Sequence, residues 1–312
     1  MLYDLNVPWP VNDYHTKPTD VELYTLKNTI VTLHTLGYDH IAINFQITES
    51  VKIPLNQTHL INPIDIASLQ KSLSPQFPSI KLFSRLTIVI YDPAKLQGLA
   101  KLQAQFDILA IQPLTEKALQ LSTTNLDIDL ISFNLGAKLP FYLKHKTIGS
   151  AVDKGIKFEI CYNNLISGSI GYANSPTNPI DNIQFIKKNF IYNVLQLVRS
   201  SRSKGLIISS GATLPLQTRN SEDILNLLRT FGLDQSRSKS CVTINPERVL
   251  VNGRLRIKSF KQTIVMDNNE ISSNSIIDND KEDPKKKTDS NGYKKRLDST
   301  SSGRLLKKQR KR

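Results

Sequence analysis

Along residues 1–265, apolar runs of strand length alternate with runs whose apolar residues recur every three or four positions. This alternation limits the fold more than any composition figure does. The step from Leu195 to Gly211 shows it most clearly. An apolar helical run ends in Arg199, Arg202 and Lys204, Gly205 stops it, and Leu206 to Ile208 read as a short buried strand closed by Ser209, Ser210 and Gly211. Cations in the last turn of a helix suit the negative end of its macrodipole. In a parallel α/β fold, small hydroxyls and a glycine at the carboxyl end of a strand leave the backbone open to a ligand, but these cations lie at the strand's other end. One small-molecule pocket cannot easily use both, whereas a long polyanion lying over the outside of the fold can.

Six further runs have strand character before Leu206: Leu2 to Val7, His40 to Ile47, Lys81 to Tyr91, Phe106 to Ile111, Leu126 to Phe133 and Ile156 to Tyr162. Cys241 to Ile244 is the candidate for an eighth, ahead of a helix from Pro246 through Leu250. Between the strands the spacing predicts helices. Thr19 and Glu22 form a capping box before Leu23, Leu26, Ile30 and Leu33, and Gly37 ends that element. Further helices are expected over 63–73, 93–105, 115–121, 140–154, 181–203 and 221–232. No Gly-rich dinucleotide turn follows the first strand, so the pattern favours a TIM-like (β/α) barrel over an open doubly wound sheet. Residues 266–312 change to Asn, Ser, Asp and Lys with almost no large apolar residues. Such a segment cannot offset its ordering entropy and is expected to be a disordered basic tail. Its clusters at 285–287, 294–296 and 307–312 have the composition of a nuclear import signal.

The net charge is +14, and the tail alone does not supply it. Residues 266–312 hold 13 Lys or Arg against 8 Asp or Glu, a balance of +5 that leaves +9 on residues 1–265. A folded body with that excess repels itself unless something acidic covers it, which points to nucleic acid ahead of an anionic membrane. Cys161 and Cys241 are too few for a disulfide framework and show no metal spacing, consistent with a reducing compartment. No run of eighteen apolar residues occurs, and the opening Met-Leu-Tyr-Asp-Leu-Asn is charged where a signal peptide needs an apolar core. The chain is expected to be soluble and intracellular, with no membrane partner.

Asp127 and Asp129 are expected to share one face of the fifth strand, and paired carboxylates can hold a metal or exchange protons. With Asp4 they would make the acidic set of a metal-dependent phosphoesterase. A plainer reading pairs them with cations of the basic body. The five histidines, at 15, 34, 40, 59 and 145, show no ligand spacing, and no nucleophile elbow or P-loop is present. The cationic set is larger: Arg199, Arg202 and Lys204, then Arg219, then Arg254, Arg256 and Lys258, where Asn252-Gly253 reads as a turn presenting two arginines together. Arginine suits phosphate because its planar fork makes two parallel hydrogen bonds. No aromatic-rich single-strand motif accompanies them, so recognition of RNA backbone and shape is expected. A scaffold that only binds acidic proteins is the remaining reading.

Five spaced motifs carry a resemblance. Asp4-Leu5-Asn6-Val7-Pro8, Gly37-Tyr38 with His40-Ile41-Ala42 and Asn44-Phe45, Ser122 through Asp129, Arg199 through Gly205, and Asn252 through Arg256 are similar to the barrel-shaped protein subunit of nuclear ribonuclease P and ribonuclease MRP in yeasts. The similarity covers roughly residues 1–265, apart from the loop at 48–79. It implies a distorted TIM-type barrel related to the polymerase and histidinol phosphatase superfamily. It further implies a noncatalytic subunit of the ribonuclease P and ribonuclease MRP particles, binding their RNAs beside other subunits, including a small ferredoxin-like one. In those particles the RNA matures the 5′ end of tRNA, and the MRP form processes precursor ribosomal RNA, in the nucleus and nucleolus. That superfamily places His-x-His after the first strand to bind metal. Asn6 and Pro8 stand there in this chain, with Ser209 and Ser210 as further polar strand-end residues, so neither a metal nor a cofactor is expected.

Overall fold

A computed structural model of the chain describes residues 1–51, 54, 61–92, 102–167, 183–260 and 264–265. Seven strands form one sheet in chain order: β1 (Leu2–Pro8), β2 (Tyr38–Thr48), β3 (Lys81–Ile90), β4 (Ile108–Pro113), β5 (Leu130–Ser132), β6 (Lys157–Cys161) and β7 (Leu206–Ser209). Every neighbouring pair is parallel. Strands covered on both faces read as almost continuous apolar runs, which is why β2 and β3 stand out in the sequence. The helices between them are α1 (Asp20–Thr35), α2 (Ile66–Leu73), α3 (Glu116–Thr124), α4 (His145–Asp153), α5 (Asn163–Ser167) and α6 (Ile183–Ser201). After β7 come α7 (Ser221–Thr230), α8 (Gln235–Val242) and α9 (Ile244–Lys258). The helix expected at 93–105 lies mostly outside the described residues, as does the tail.

Local chemistry sets the element ends. The Thr19 hydroxyl accepts from the Glu22 amide at 3.4 Å while Glu22 Oε2 accepts from the Thr19 amide at 2.8 Å, so the predicted capping box opens α1. At the end of α6 the chain turns through two non-glycine residues in the left-handed region, Arg202 at φ 52° and Ser203 at φ 57°, before Gly205. The Ser203 amide there bonds Val198 O at 2.9 Å, satisfying a terminal helix carbonyl.

The sheet curls into a nearly closed barrel. Its outward faces and the inner faces of the helices make the main core, with Ile43, Phe45, Leu86, Ile111 and Phe158 among the buried strand residues and Ile30, Phe190 and Leu228 among the helical ones. A second, smaller cluster fills part of the barrel's inside: Tyr3, Leu5, Ala42, Ile108, Ala110, Leu130 and Ile207, with Val249 of α9 inserted among them.

The expected eighth strand is corrected by the structure. Residues 241 and 242 end α8, Thr243 is a joint, and Ile244 begins α9. Helix α9 lies across the amino end of the barrel instead. Asn252-Gly253 is part of that helix and not a turn. A Cβ at position 253 would fall 2.0 Å from the Asp107 carbonyl oxygen, so the glycine is there to let α9 approach β4. Among the described residues no eighth strand joins this sheet, the short pair Ser259–Phe260 and Ile264–Val265 forming a separate two-stranded one, and β1 and β7 meet at a seam. Gly211 donates to Asn6 O at 2.9 Å, and the Ser210 amide donates to the Asp4 carboxylate at 3.1 Å, in place of a ladder.

Candidate functional site

The inward positions of β2, β3 and β6 follow the two-residue period of a strand: Asn44, then Arg85 and Thr87, then Glu159 and Cys161. Arg85 and Glu159 are 0% exposed. Arg85 Nη1 and Nη2 donate to Glu159 Oε1 and Oε2, both at 2.6 Å. The same guanidinium reaches Leu5 O at 2.8 Å and Thr87 Oγ1 at 3.1 Å. Asn6 Nδ2 lies 3.1 Å from Cys161 Sγ and 3.4 Å from Glu159 Oε2, Asn44 donates to Asn6 Oδ1 at 2.9 Å, and Thr87 donates to Asn44 Oδ1 at 2.7 Å. Burial pushes the Glu159 carboxyl up, but the Arg85 charge and its hydrogen bonds pull it further down, to below the ordinary carboxylate range. A TIM-type barrel interior is usually packed with branched aliphatic side chains. Here a guanidinium occupies the middle, so the cation at the heart of the polar interior is part of the chain.

Of the predicted strand-end residues, Asn6 and Ser209 lie in this buried carboxyl-end region, and Asp4 and Ser210 form the seam. Asp4 is raised to about 6 by burial, against the pull of its hydrogen bonds from Ser210 and Asn6. Asp127 and Asp129 are not with them. Both precede β5, at its amino end, because that strand begins only at Leu130. Asp127 is exposed and Asp129 buried, so the two do not share a strand face. The acidic triad of the phosphoesterase reading is thereby divided between the β1–β7 seam and the far end of β5. Among the described residues no group of three or more His, Cys, Asp and Glu comes within reach of one metal ion. His40 is packed between Tyr3 and Phe83, with ring centroids 4.7 and 6.0 Å away, and burial lowers its pKa.

The cations divide into three groups. Arg199, Arg202 and Lys204 are exposed around the end of α6, as the sequence reading requires of phosphate contacts. Arg237 of α8, absent from that reading, joins them: its Nη1 donates to Arg202 O at 3.3 Å, and with Arg199 and Arg202 it lines a surface depression of about 400 Å³. Arg219 sits elsewhere, half-buried in the loop after β7, with Nη1 held by Leu216 O at 2.7 Å and Thr218 O at 2.8 Å. Arg254 of α9 is exposed. Arg256 departs from the expectation. Its side chain is 6% exposed and turned inward, where Nη2 donates to Asp129 Oδ2 at 2.9 Å and to Phe106 O and Asp107 O at 3.2 Å, and Nη1 reaches Gln103 O. The reason is the helical course of α9, which aims position 256 at the barrel end and 254 at solvent. The Lys258 side chain lies outside the described residues.

Arg85, Glu159 and Arg237 were missed in the sequence. The first two did leave a signal: opposite charges in the middle of two buried strands need a partner, and each other was available. Arg237 left none, since only the fold brings its guanidinium from α8 to the Arg202 carbonyl in the turn after α6.

Residues 1–258 match the family described as RNase P subunit p30. Over 265 residues the chain is 46% identical to the ribonuclease P/MRP protein subunit RPP1 of Saccharomyces cerevisiae, covering 85% of each chain. It is 32% identical over 264 residues to the probable ribonuclease P protein subunit 3 of Schizosaccharomyces pombe, covering 85% of this chain and 98% of that one. In fold it is similar to a chain of the archaeal ribonuclease P solved with mature tRNA by cryo-electron microscopy, at a TM-score of 0.52 and 15% identity, covering 82% of this chain and 96% of that one.

Proposed function

The chain belongs to the RNase P subunit p30 family, and from that premise we propose that it is a noncatalytic protein subunit of ribonuclease P and ribonuclease MRP. In this role it binds and scaffolds the catalytic RNA of each particle, which matures the 5′ end of tRNA in one case and processes precursor ribosomal RNA in the other. It works in the nucleus, including the nucleolus, beside other protein subunits, among them a small ferredoxin-like one. Residues 1–265 form the working domain, and the basic tail at 266–312 serves nuclear import.

The observation that carries the noncatalytic part is the Arg85–Glu159 pair. A superfamily active site needs its inward polar groups free to take metal ions, and here Glu159, Asn6, Asn44 and Thr87 are committed to one another and to a guanidinium. Neutral Asn and a carboxylate already neutralised by Arg are a poor donor set for a divalent cation. RNA instead meets the outside of the barrel. Arg199, Arg202, Lys204 and Arg254 contact phosphates, with Arg219 a weaker candidate because its guanidinium is already bonded to carbonyls. A body at +9 with exposed arginines on separate elements suits a large folded polyanion rather than a single small anion.

The test is a filter-binding titration of the purified chain against the ribonuclease P RNA, with a parallel assay for phosphoester turnover by protein alone in the presence of divalent metal. Binding through about six phosphates weakens roughly a thousandfold between 50 and 200 mM salt. A flat salt response, or turnover by the protein without RNA, defeats the proposal.

A further inference from the structure

Helix α6 is apolar on two sides. One side packs into the core through Ile186, Phe190, Val194 and Leu197. On the other, Phe185 is 61% exposed, Tyr192 59% and Leu195 43%. A surface helix of a globular protein ordinarily has one apolar stripe, with polar residues opposite. The outer stripe also has a regular spacing. Phe185, Lys188, Tyr192, Leu195 and Arg199 follow one another at alternating steps of three and four, the a and d positions of a heptad seam. Beside it runs a groove of about 430 Å³ whose far wall is Leu143 and His145, and His145 Nδ1 sits 2.6 Å from Ser200 O, fixing that wall to the helix. Tyr142, next to the wall, is 74% exposed.

We propose that this outer face of α6 docks an amphipathic α-helix of a partner protein, apolar along its own seam and carrying carboxylates on its flanks. The spacing selects a helix as the occupant, because only another helix presents knobs at the period of this seam. The charge selects its flanks. Beside the exposed apolar side chains α6 carries Lys187 and Lys188, and the helix has not one Asp or Glu. A second copy of this chain would bring the same cations face to face. Residues 284–312 of the chain's own tail hold 12 Lys or Arg against 2 Asp and are repelled by the same cations; residues 267–283 are acidic, but their Ile271, Ile276 and Ile277 do not recur at steps of three and four and cannot match the seam; and residues 168–182 supply one carboxylate, two prolines and few apolar side chains. RNA is the poorer fit over Phe185, Tyr192 and Leu195, whose exposed aliphatic and aromatic area offers no donor to phosphate.

The proposal rests on the chain working inside a ribonucleoprotein, and the experiment separates the two ideas. Hydroxyl-radical footprinting of Tyr192 and Leu195 is carried out on the isolated full chain, on the particle purified through a tagged chain, and on that particle after nuclease digestion. Burial in a dry interface core slows oxidation of both side chains in the particle by about fivefold or more, and the protection survives nuclease. Carbodiimide coupling then joins Lys187 or Lys188 to Asp or Glu of the partner helix. Leu195→Asp, at an exposed position, keeps the melting temperature of the isolated chain and loses that partner from the purified particle. Unprotected Tyr192 and Leu195 in a particle that contains RNA overturn the docking proposal alone. Protection that vanishes with nuclease assigns the face to RNA and also overturns it, as does a Leu195→Asp particle with every subunit retained. A chain recovered without RNA or protein overturns both readings.

Discussion

Arg85 on β3 and Glu159 on β6 stand on opposite sides of the barrel wall and meet at its centre through two parallel hydrogen bonds of 2.6 Å, with neither side chain exposed. A buried pair of this kind contributes little against an apolar replacement of the same size. It is costly to break halfway, because the surviving charge is left without a partner in a medium of low polarity. Arg85→Met or Glu159→Leu alone therefore lowers stability by about 3–5 kcal/mol, and the double substitution recovers most of that loss. Urea unfolding of the parent and the three variants measures the cycle. Single and double variants that lose stability additively would show that the two residues do not act as a pair.

Gly253 sets two effects against each other. Alanine has the higher helix propensity, worth about 1 kcal/mol in a helix interior. The Cβ it adds would stand 2.0 Å from the Asp107 carbonyl oxygen, a backbone atom that cannot swing aside, so α9 must shift from the barrel end. Overpacking of this sort costs roughly 1–3 kcal/mol, and the shift also loosens Val249 from the interior cluster. The net expectation for Gly253→Ala is a lower melting temperature. A rise would mean that propensity dominates and that the close approach is not a constraint.

The same residue shows what could be read in advance and what could not. All seven strands of the sheet were legible, since parallel strands covered on both sides read as nearly continuous apolar runs, as β2, β3 and β7 do apart from a few inward polar positions. Cys241 to Ile244 misled because Val242, Thr243 and Ile244 are β-branched, a weak preference that packing on β7 overrides. Asn252-Gly253 misled for a different reason: glycine serves turns and close helix contacts alike, and only the position of Asp107 distinguishes them. At the candidate site, the exposed arginines of the α6 end were legible from charge in a terminal turn. The inward course of Arg256 was not, because it depends on which way α9 faces.

Asp4 makes stability depend on pH in the direction opposite to a salt-bridged carboxylate. Burial raises it to about 6 in the fold, whereas an unfolded Asp titrates near about 3.9. The folded state therefore holds the proton more tightly. The contribution of this group is greatest below about pH 4, falls as pH rises towards about 6, and is flat above that. Asp4→Asn keeps an oxygen to accept from the Ser210 and Asn6 amides at the seam without the charge. Relative to the parent, the variant gains stability across that window and holds the gain at pH above about 6. Thermal melts of both chains at a series of pH values give the difference curve, and a curve that is level between about pH 4 and 6 would rule out the raised carboxyl.

Arg237 and Arg256 allow a test that separates a cation proposed to serve RNA from one that serves the fold. Arg199, Arg202 and Arg237 border one depression on the outside of the barrel, and if they meet RNA as proposed, replacing all three by Ala removes up to three phosphate contacts. Each lost contact flattens the slope of log affinity against log salt by about 0.7–0.9, so the triple variant binds ribonuclease P RNA more weakly at low salt and with a slope shallower by about 2. Its melting temperature changes little, because all three residues are exposed and the polar contacts of Arg237 with Asp234 and Arg202 O lie at the surface. Arg256→Ala behaves in the reverse manner. It leaves Asp129 buried without its ion pair, lowering stability by about 3 kcal/mol while the salt slope of the folded protein stays that of the parent. Filter binding across a salt series, paired with urea unfolding, separates the two. A parental slope in the triple variant would remove this surface from the RNA interface, and a flattened slope in Arg256→Ala would show that its guanidinium leaves Asp129 to meet phosphate.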